Sequence, residues 1–96
     1  MERQLEQKLV RAVLKLGGIA PKFIAPGFAG MPDRLVVLPI GRIAFVEVKA
    51  PGMKPRPLQV KRNELLRRLG CRVYVLDDEQ EIPRLLAEIT RGGDAT

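Results

Sequence analysis

Residues 43–50, Ile-Ala-Phe-Val-Glu-Val-Lys-Ala, form a short run dominated by β-branched and aromatic side chains, and this run constrains the fold most. It reads as a β-strand. Side chains alternate across a strand, so Ile43, Phe45, Glu47 and Lys49 share one face while Ala44, Val46 and Val48 share the other, the face expected to be buried. A carboxylate and an ammonium leaving so apolar a strand on one face are costly to desolvate unless they are paired or bound to a metal. The run Asp33-Arg34-Leu35-Val36-Val37-Leu38 reads as a second strand, joined to the first only by Pro39-Ile40-Gly41-Arg42. So short a connection predicts an antiparallel hairpin. The start of one hairpin strand lies beside the end of the other, which places Asp33 next to Glu47 and Lys49.

Around this hairpin the spacing predicts three helices and two further strands. Leu5, Leu9, Ala12, Val13 and Leu16 recur at helical intervals, giving a helix from about Arg3 to Leu16 stopped by Gly17-Gly18. Glu6 falls on the rim of its apolar face, about 60° from the centre. Glu2 lies nearer the centre, but at the end of the helix. Ile19–Ala25 reads as an edge strand interrupted by Pro21, and Pro26–Pro32 as a Gly/Pro loop. Pro57 suits the first turn of a helix carrying Leu58, Leu65, Leu66 and Leu69, with Gln59 on the rim of that face and Gly70 as the stop. Cys71–Leu76 reads as a strand. Asp77 or Asp78 can cap a last helix with Ile82, Leu85, Leu86 and Ile89 on its inner stripe. The expected fold class is α/β, a mixed central β-sheet flanked by α-helices. Residues 1–91 are expected to form a single domain and 92–96 a flexible C-terminal tail.

Composition removes several chemistries. The chain has 96 residues and no histidine, which excludes His-based nucleases, Ser–His triads and His–Cys zinc sites. Its one cysteine, Cys71, sits in an apolar run and can make neither an internal disulfide nor a thiolate cage. The absence of an 18-residue apolar stretch and the polar opening Met1-Glu2-Arg3-Gln4 predict no membrane span and a cytoplasmic protein. A net charge of +6 points to a polyanionic partner. Between Lys54 and Arg72 seven cations face a single anion, Glu64, which suits phosphate contacts along the helix and its preceding loop. Lys54, Arg56, Lys61 and Arg62 are the candidates there, together with Lys22 and Arg34. No base-reading motif is visible, so recognition is expected through shape and backbone.

Two carboxylates meeting at a sheet edge, Asp33 and Glu47, suit a hard cation such as Mg²⁺ or Mn²⁺, with the Val48 carbonyl as a third ligand. Lys49 beside them can orient or help deprotonate water, or stabilise a developing anion. No histidine is needed for such chemistry.

Pro32-Asp33 followed by Glu47-Val48-Lys49 resembles the PD-(D/E)XK nuclease signature. A wider string resembles the VRR-NUC family: Glu6 with Leu9-Val10, Gly17-Gly18, Lys22-Phe23, Pro26-Gly27, Gly30-Met31-Pro32-Asp33-Arg34, Phe45-Val46-Glu47-Val48-Lys49-Ala50-Pro51, Pro57-Leu58-Gln59 and Gly70-Cys71-Arg72-Val73-Tyr74-Val75. The likeness spans about residues 2–90. It implies a restriction-endonuclease-like fold and divalent-metal-dependent, structure-selective DNA cleavage leaving 5′-phosphate and 3′-hydroxyl ends. Carried over, it makes Asp33 and Glu47 metal ligands, Lys49 the catalytic lysine, Glu6 the first-helix acid that reaches the metal or its water, and Gln59 a support of the site or a phosphate contact. A bare domain of this kind is expected to act on branched DNA, four-way (Holliday) junctions first, as a C2 homodimer that cuts two strands symmetrically. Single-site cutting of flaps is the enzymatic alternative, and a non-catalytic basic DNA-binding module is the alternative outside enzymes.

Overall fold

The computed structural model describes residues 2–92. Helix α1 spans Glu2–Lys15, strand β1 Arg34–Leu38, strand β2 Arg42–Val48, helix α2 Pro57–Arg68, strand β3 Val73–Leu76 and helix α3 Ile82–Arg91. Single 3₁₀ turns occupy Pro39–Gly41 and Glu79–Glu81. Of the tail expected over 92–96, residues 93–96 lie outside the described residues.

The sheet is mixed, in the order β1-β2-β3. β1 and β2 form the expected antiparallel hairpin, with Arg34 opposite Val46 and Leu38 opposite Arg42. β3 adds to β2 in parallel, with Val48 beside Leu76, after the crossover through α2. The alternation holds: Ala44, Val46 and Val48 are buried, beneath Leu5, Leu9 and Val13 of α1 and Ile82, Leu85, Leu86 and Ile89 of α3. Helix α2 covers the opposite face, the one that carries Phe45 and Glu47.

Helix α1 ends as its sequence requires. Gly17, at φ +85°, and Gly18 close a Schellman motif, Gly18 donating to the Val13 carbonyl and Gly17 to that of Leu14. A Cβ on Gly18 would lie 2.3 Å from the Val37 carbonyl oxygen, so only glycine lets the chain turn this tightly onto β1. From there Ile19 exchanges two 2.9 Å hydrogen bonds with Val37.

The edge strand expected over Ile19–Ala25 is replaced by two isolated bridges, Ile19 to Val37 and Lys22 to Arg34. Pro21 is the reason. It accepts from the Leu35 N–H but has no N–H to return, so the ladder is broken in its middle. The register nevertheless continues to Phe23, whose N–H donates to the Asp33 carbonyl. That bond fixes the residue at which β1 begins. The last helix starts later than its cap: Asp78 accepts from the Gln80 N–H and caps the 3₁₀ turn that leads into α3.

A second departure concerns the inner face of α2. Its buried residues are Gln59, Asn63 and Leu66. Leu58 and Leu69 are exposed. The leucine stripe expected to pack inward therefore points partly to solvent, and a polar pair takes its place.

Candidate active site

Arg34 pairs with Val46, so the residue before β1 reaches the level of Glu47. The Asp33 carboxylate turns back over the strand end and Oδ1 accepts the Val48 N–H at 3.0 Å. Asp33 is thus tied to β2 through backbone, a stiffer anchor than a side-chain contact.

Glu47 is 2% exposed. Its Oε2 accepts from Gln59 Nε2 at 3.0 Å and lies 3.3 Å from Lys49 Nζ. Its Oε1 is buried with no hydrogen-bond partner. Gln59 is occupied at both ends of its amide, since its Oε1 accepts the Arg56 N–H at 2.8 Å. That bond is the reach-back half of a capping box and caps α2. One side chain thereby couples the start of α2 to the orientation of Glu47, which explains why a glutamine occupies the buried stripe of that helix.

Electrostatics mark both carboxylates. Burial pushes the Glu47 carboxyl above its ordinary range, the nearby Asp33 charge pushes it further, and Lys49 opposes the shift. Burial also raises Asp33, against the Val48 N–H, and the charge of Glu6 adds to the rise. Two acids that each resist ionisation, one with an orphaned buried oxygen, form a site short of positive charge.

Glu6 reaches the neighbourhood but not the cluster. Its Oε1 accepts from Arg34 Nε at 3.2 Å, while Arg34 also donates to the Ala20 carbonyl at 2.8 Å. Glu2, one turn earlier on α1, raises both Asp33 and Glu47 through its charge. Among the described residues no group of three or more acidic side chains is gathered closely enough to hold an ion together. The donor set is therefore two carboxylates plus backbone. It still fits Mg²⁺ or Mn²⁺, because such ions keep several waters and take one or two carboxylates alongside substrate phosphate. The orphaned Oε1 of Glu47 is the atom most in need of a cation.

The six candidate cations separate. Lys22, Lys54, Arg56 and Lys61 are exposed. Arg34 is turned inward onto Glu6 and Ala20. Arg62 donates from Nε to the Ala29 carbonyl at 2.8 Å and lays its guanidinium 3.9 Å from the centroid of the Phe28 ring. Asn63 is a buried polar residue outside the sequence expectations: it is 2% exposed, one turn beyond Gln59, and its Oδ1 has no partner. Its signal was available in the Gln59–Asn63–Leu66 spacing, which is as helical as the leucine spacing beside it.

No family model matches the chain. It is 54% identical over 78 residues to "Putative nuclease p44" of Acyrthosiphon pisum secondary endosymbiont phage 1, covering 81% of this chain and 84% of that protein. It also superposes on a solved VRR_NUC domain with a TM-score of 0.85 at 34% identity, covering 91% of this chain and 95% of that one.

Proposed function

The chain belongs to the VRR-NUC nuclease family, and from that premise we propose that it is a divalent-metal-dependent, structure-selective DNA endonuclease of PD-(D/E)XK type. The observation that carries this reading is the buried Glu47 carboxylate with one oxygen unpartnered, facing Asp33 across the hairpin. Asp33, Glu47 and the Val48 carbonyl would hold Mg²⁺ or Mn²⁺. When bound, such an ion supplies positive charge against the phosphate and makes water a stronger acid.

The residues divide the remaining work. Asp33 is held by the Val48 N–H, so its free oxygen has a fixed direction. Gln59 donates to Glu47 and accepts from the Arg56 N–H, so it acts as a positioning residue for Glu47. Lys49 Nζ, at the edge of the site, can donate to the phosphate oxygen that gains charge or orient the attacking water. Water adds to phosphorus, the P–O3′ bond breaks and the 3′ oxygen takes a proton, leaving 5′-phosphate and 3′-hydroxyl ends. Glu6, whose Oε1 now accepts from Arg34, or Glu2 one turn earlier, would act on that water from α1. Lys22, Lys54, Arg56 and Lys61 face solvent and suit backbone phosphates.

Branched DNA, four-way junctions first, is the proposed substrate. Two copies related by a twofold axis would cut two strands symmetrically, and the small core gives self-association a second benefit. The test is purified protein with labelled junction, flap, duplex and single strand in Mg²⁺, Mn²⁺ or EDTA. Nicking that requires metal and is fastest on the junction is expected; cleavage that persists in EDTA would overturn the reading. Light scattering at micromolar concentration is expected to give twice the 10.7 kDa chain mass, and a monomer mass would remove the dimer.

No helix among the described residues is long and apolar enough to cross a membrane.

A further inference from the structure

The chain has three phenylalanines and one tyrosine, and three of these four rings have plain structural employment. Phe23 and Phe45 meet edge to face with centroids 5.3 Å apart. Tyr74 accepts from Arg72 and donates to Glu88. Phe28 does neither. It stays 42% exposed on the loop that leads, five residues later, into Asp33.

An exposed ring on a loop would ordinarily be loosely held, and this one is not. Its N–H donates to the Ala25 carbonyl at 3.1 Å, closing a four-residue turn with Pro26 and Gly27 at the centre. Gly27 has φ +78°, the value a type II turn requires at that position, and Pro26 stiffens the position before it. A Cβ on Gly27 would meet nothing within 4 Å, so the turn stands out into solvent. Behind it the loop is clamped to α2. A Cβ on Gly30 would come 2.8 Å from the Leu58 side chain. Arg62 then holds both backbone and ring, donating to the Ala29 carbonyl and stacking its guanidinium on Phe28. One side of the ring therefore rests on a cation, and much of the residue remains open.

Neither the core nor Asp33 needs this arrangement: Phe28 is outside the buried cluster, and Asp33 is placed by Val48 and Phe23. A clamped ring, 42% exposed and backed by a cation, on a protein of net charge +6 fits a flat apolar group attached to a polyanion. In a paired duplex base faces are stacked on one another, so only an unpaired base can offer one. We propose that the Phe28–Arg62 stack, on the loop that leads into Asp33, is a platform for an unpaired base of the DNA substrate, selecting DNA with interrupted pairing. The inference rests on the nuclease reading for its substrate and adds a specificity-determining residue to it. Arg62 thus acts through Phe28.

The test compares wild type with Phe28→Leu, which keeps an apolar side chain but loses the ring, and Phe28→Tyr, which keeps the ring. Fluorescence anisotropy in EDTA measures affinity for a duplex with one unpaired thymine and for its fully paired counterpart. Base–aromatic stacking predicts that wild type and Phe28→Tyr prefer the unpaired base by roughly 5- to 100-fold and that Phe28→Leu loses the preference. Replacing the unpaired thymine by 5-iodouracil and irradiating wild type is expected to crosslink residue 28, identified by mass spectrometry; this arm does not depend on any variant folding. Equal preference in wild type and Phe28→Leu, or a crosslink mapped to another residue, would overturn the platform. Metal-dependent cleavage without the preference defeats the platform alone. The preference without metal-dependent cleavage defeats the nuclease reading alone.

Discussion

Asp33→Asn is expected to lower DNA cleavage by roughly 10³-fold, the loss that follows when several kcal/mol of transition-state charge stabilisation are removed, while the metal-free variant melts no lower than wild type. Most active-site substitutions that inactivate an enzyme also leave a hole or an orphaned group; this one should not. Asparagine keeps the oxygen that accepts the Val48 N–H, so the anchor to β2 survives. What disappears is a charge the fold resists. Burial and the charge of Glu6 hold the Asp33 carboxyl above its ordinary range, and the charge of Asp33 in turn raises Glu47. A carboxyl whose folded value is raised binds its proton more tightly in the folded than in the unfolded chain. Its contribution to stability is present below the unfolded value, about pH 4, and is lost as pH rises through the folded one. On going from acid toward neutral pH, wild type without metal should therefore fall in stability relative to Asp33→Asn. Adding Mn²⁺ should raise the melting temperature of wild type and leave that of Asp33→Asn nearly unchanged. Calorimetric scans at pH 4 and pH 7, with and without Mn²⁺, check all of this independently of activity. A variant that melts well below wild type without metal, or that keeps the full metal-induced shift, would contradict the assignment.

The same contrast shows which parts of the site could be read from residues alone. Strand alternation and a short connection were enough to bring Asp33 beside Glu47, because in a tight hairpin the pairing is arithmetic: Arg34 opposite Val46 leaves little freedom for the next residue. The buried Val46 face followed from the same period. The inner face of α2 did not follow. Counting leucines favours Leu58, Leu65, Leu66 and Leu69, yet the helix buries Gln59 and Asn63, and Gln59 supplies the donor that Glu47, already buried by its strand, needs. Both stripes have helical spacing, and the choice between them is made by Glu47, an element away in sequence, so α2's own periodicity cannot settle it. Arg34 and Arg62 illustrate a related limit. Both read as phosphate contacts by charge; one is spent on Glu6 and the Ala20 carbonyl, the other on Phe28 and the Ala29 carbonyl. Charge is visible in a sequence, but a guanidinium's partner depends on where a loop folds back. For Phe28 the turn signal Pro26-Gly27 was visible, and the cation beneath the ring was not.

Lys49→Met should separate the two tasks that converge on one amine. Methionine is similar in length and flexible, so the side chain can still pack where Lys49 lies half-buried. The cation, however, is gone, and Lys49 is the group whose charge and hydrogen bond hold the Glu47 carboxyl down against burial and against Asp33. Its removal raises Glu47 further, and because a metal competes with the proton for that carboxylate, the pH at which Mn²⁺ binding is half-complete should move upward. At a pH high enough to ionise Glu47 in both proteins, metal affinity should recover. Cleavage should not recover with it. If Lys49 donates to the phosphate oxygen or to the attacking water, loss of that donor should still cost about 10²- to 10³-fold in kcat at saturating metal. Calorimetric titration of Mn²⁺ across pH gives the first quantity and single-turnover cleavage at saturating Mn²⁺ the second. Recovery of both at high pH would reduce Lys49 to a partner that keeps Glu47 ionised. Recovery of metal binding alone would place the amine at the reacting phosphate. Gln59 gives the control, because Gln59→Leu removes a Glu47 partner that carries no charge. It should weaken metal binding by about 10- to 100-fold and, unlike Lys49→Met, leave kcat at saturating metal within a few-fold of wild type.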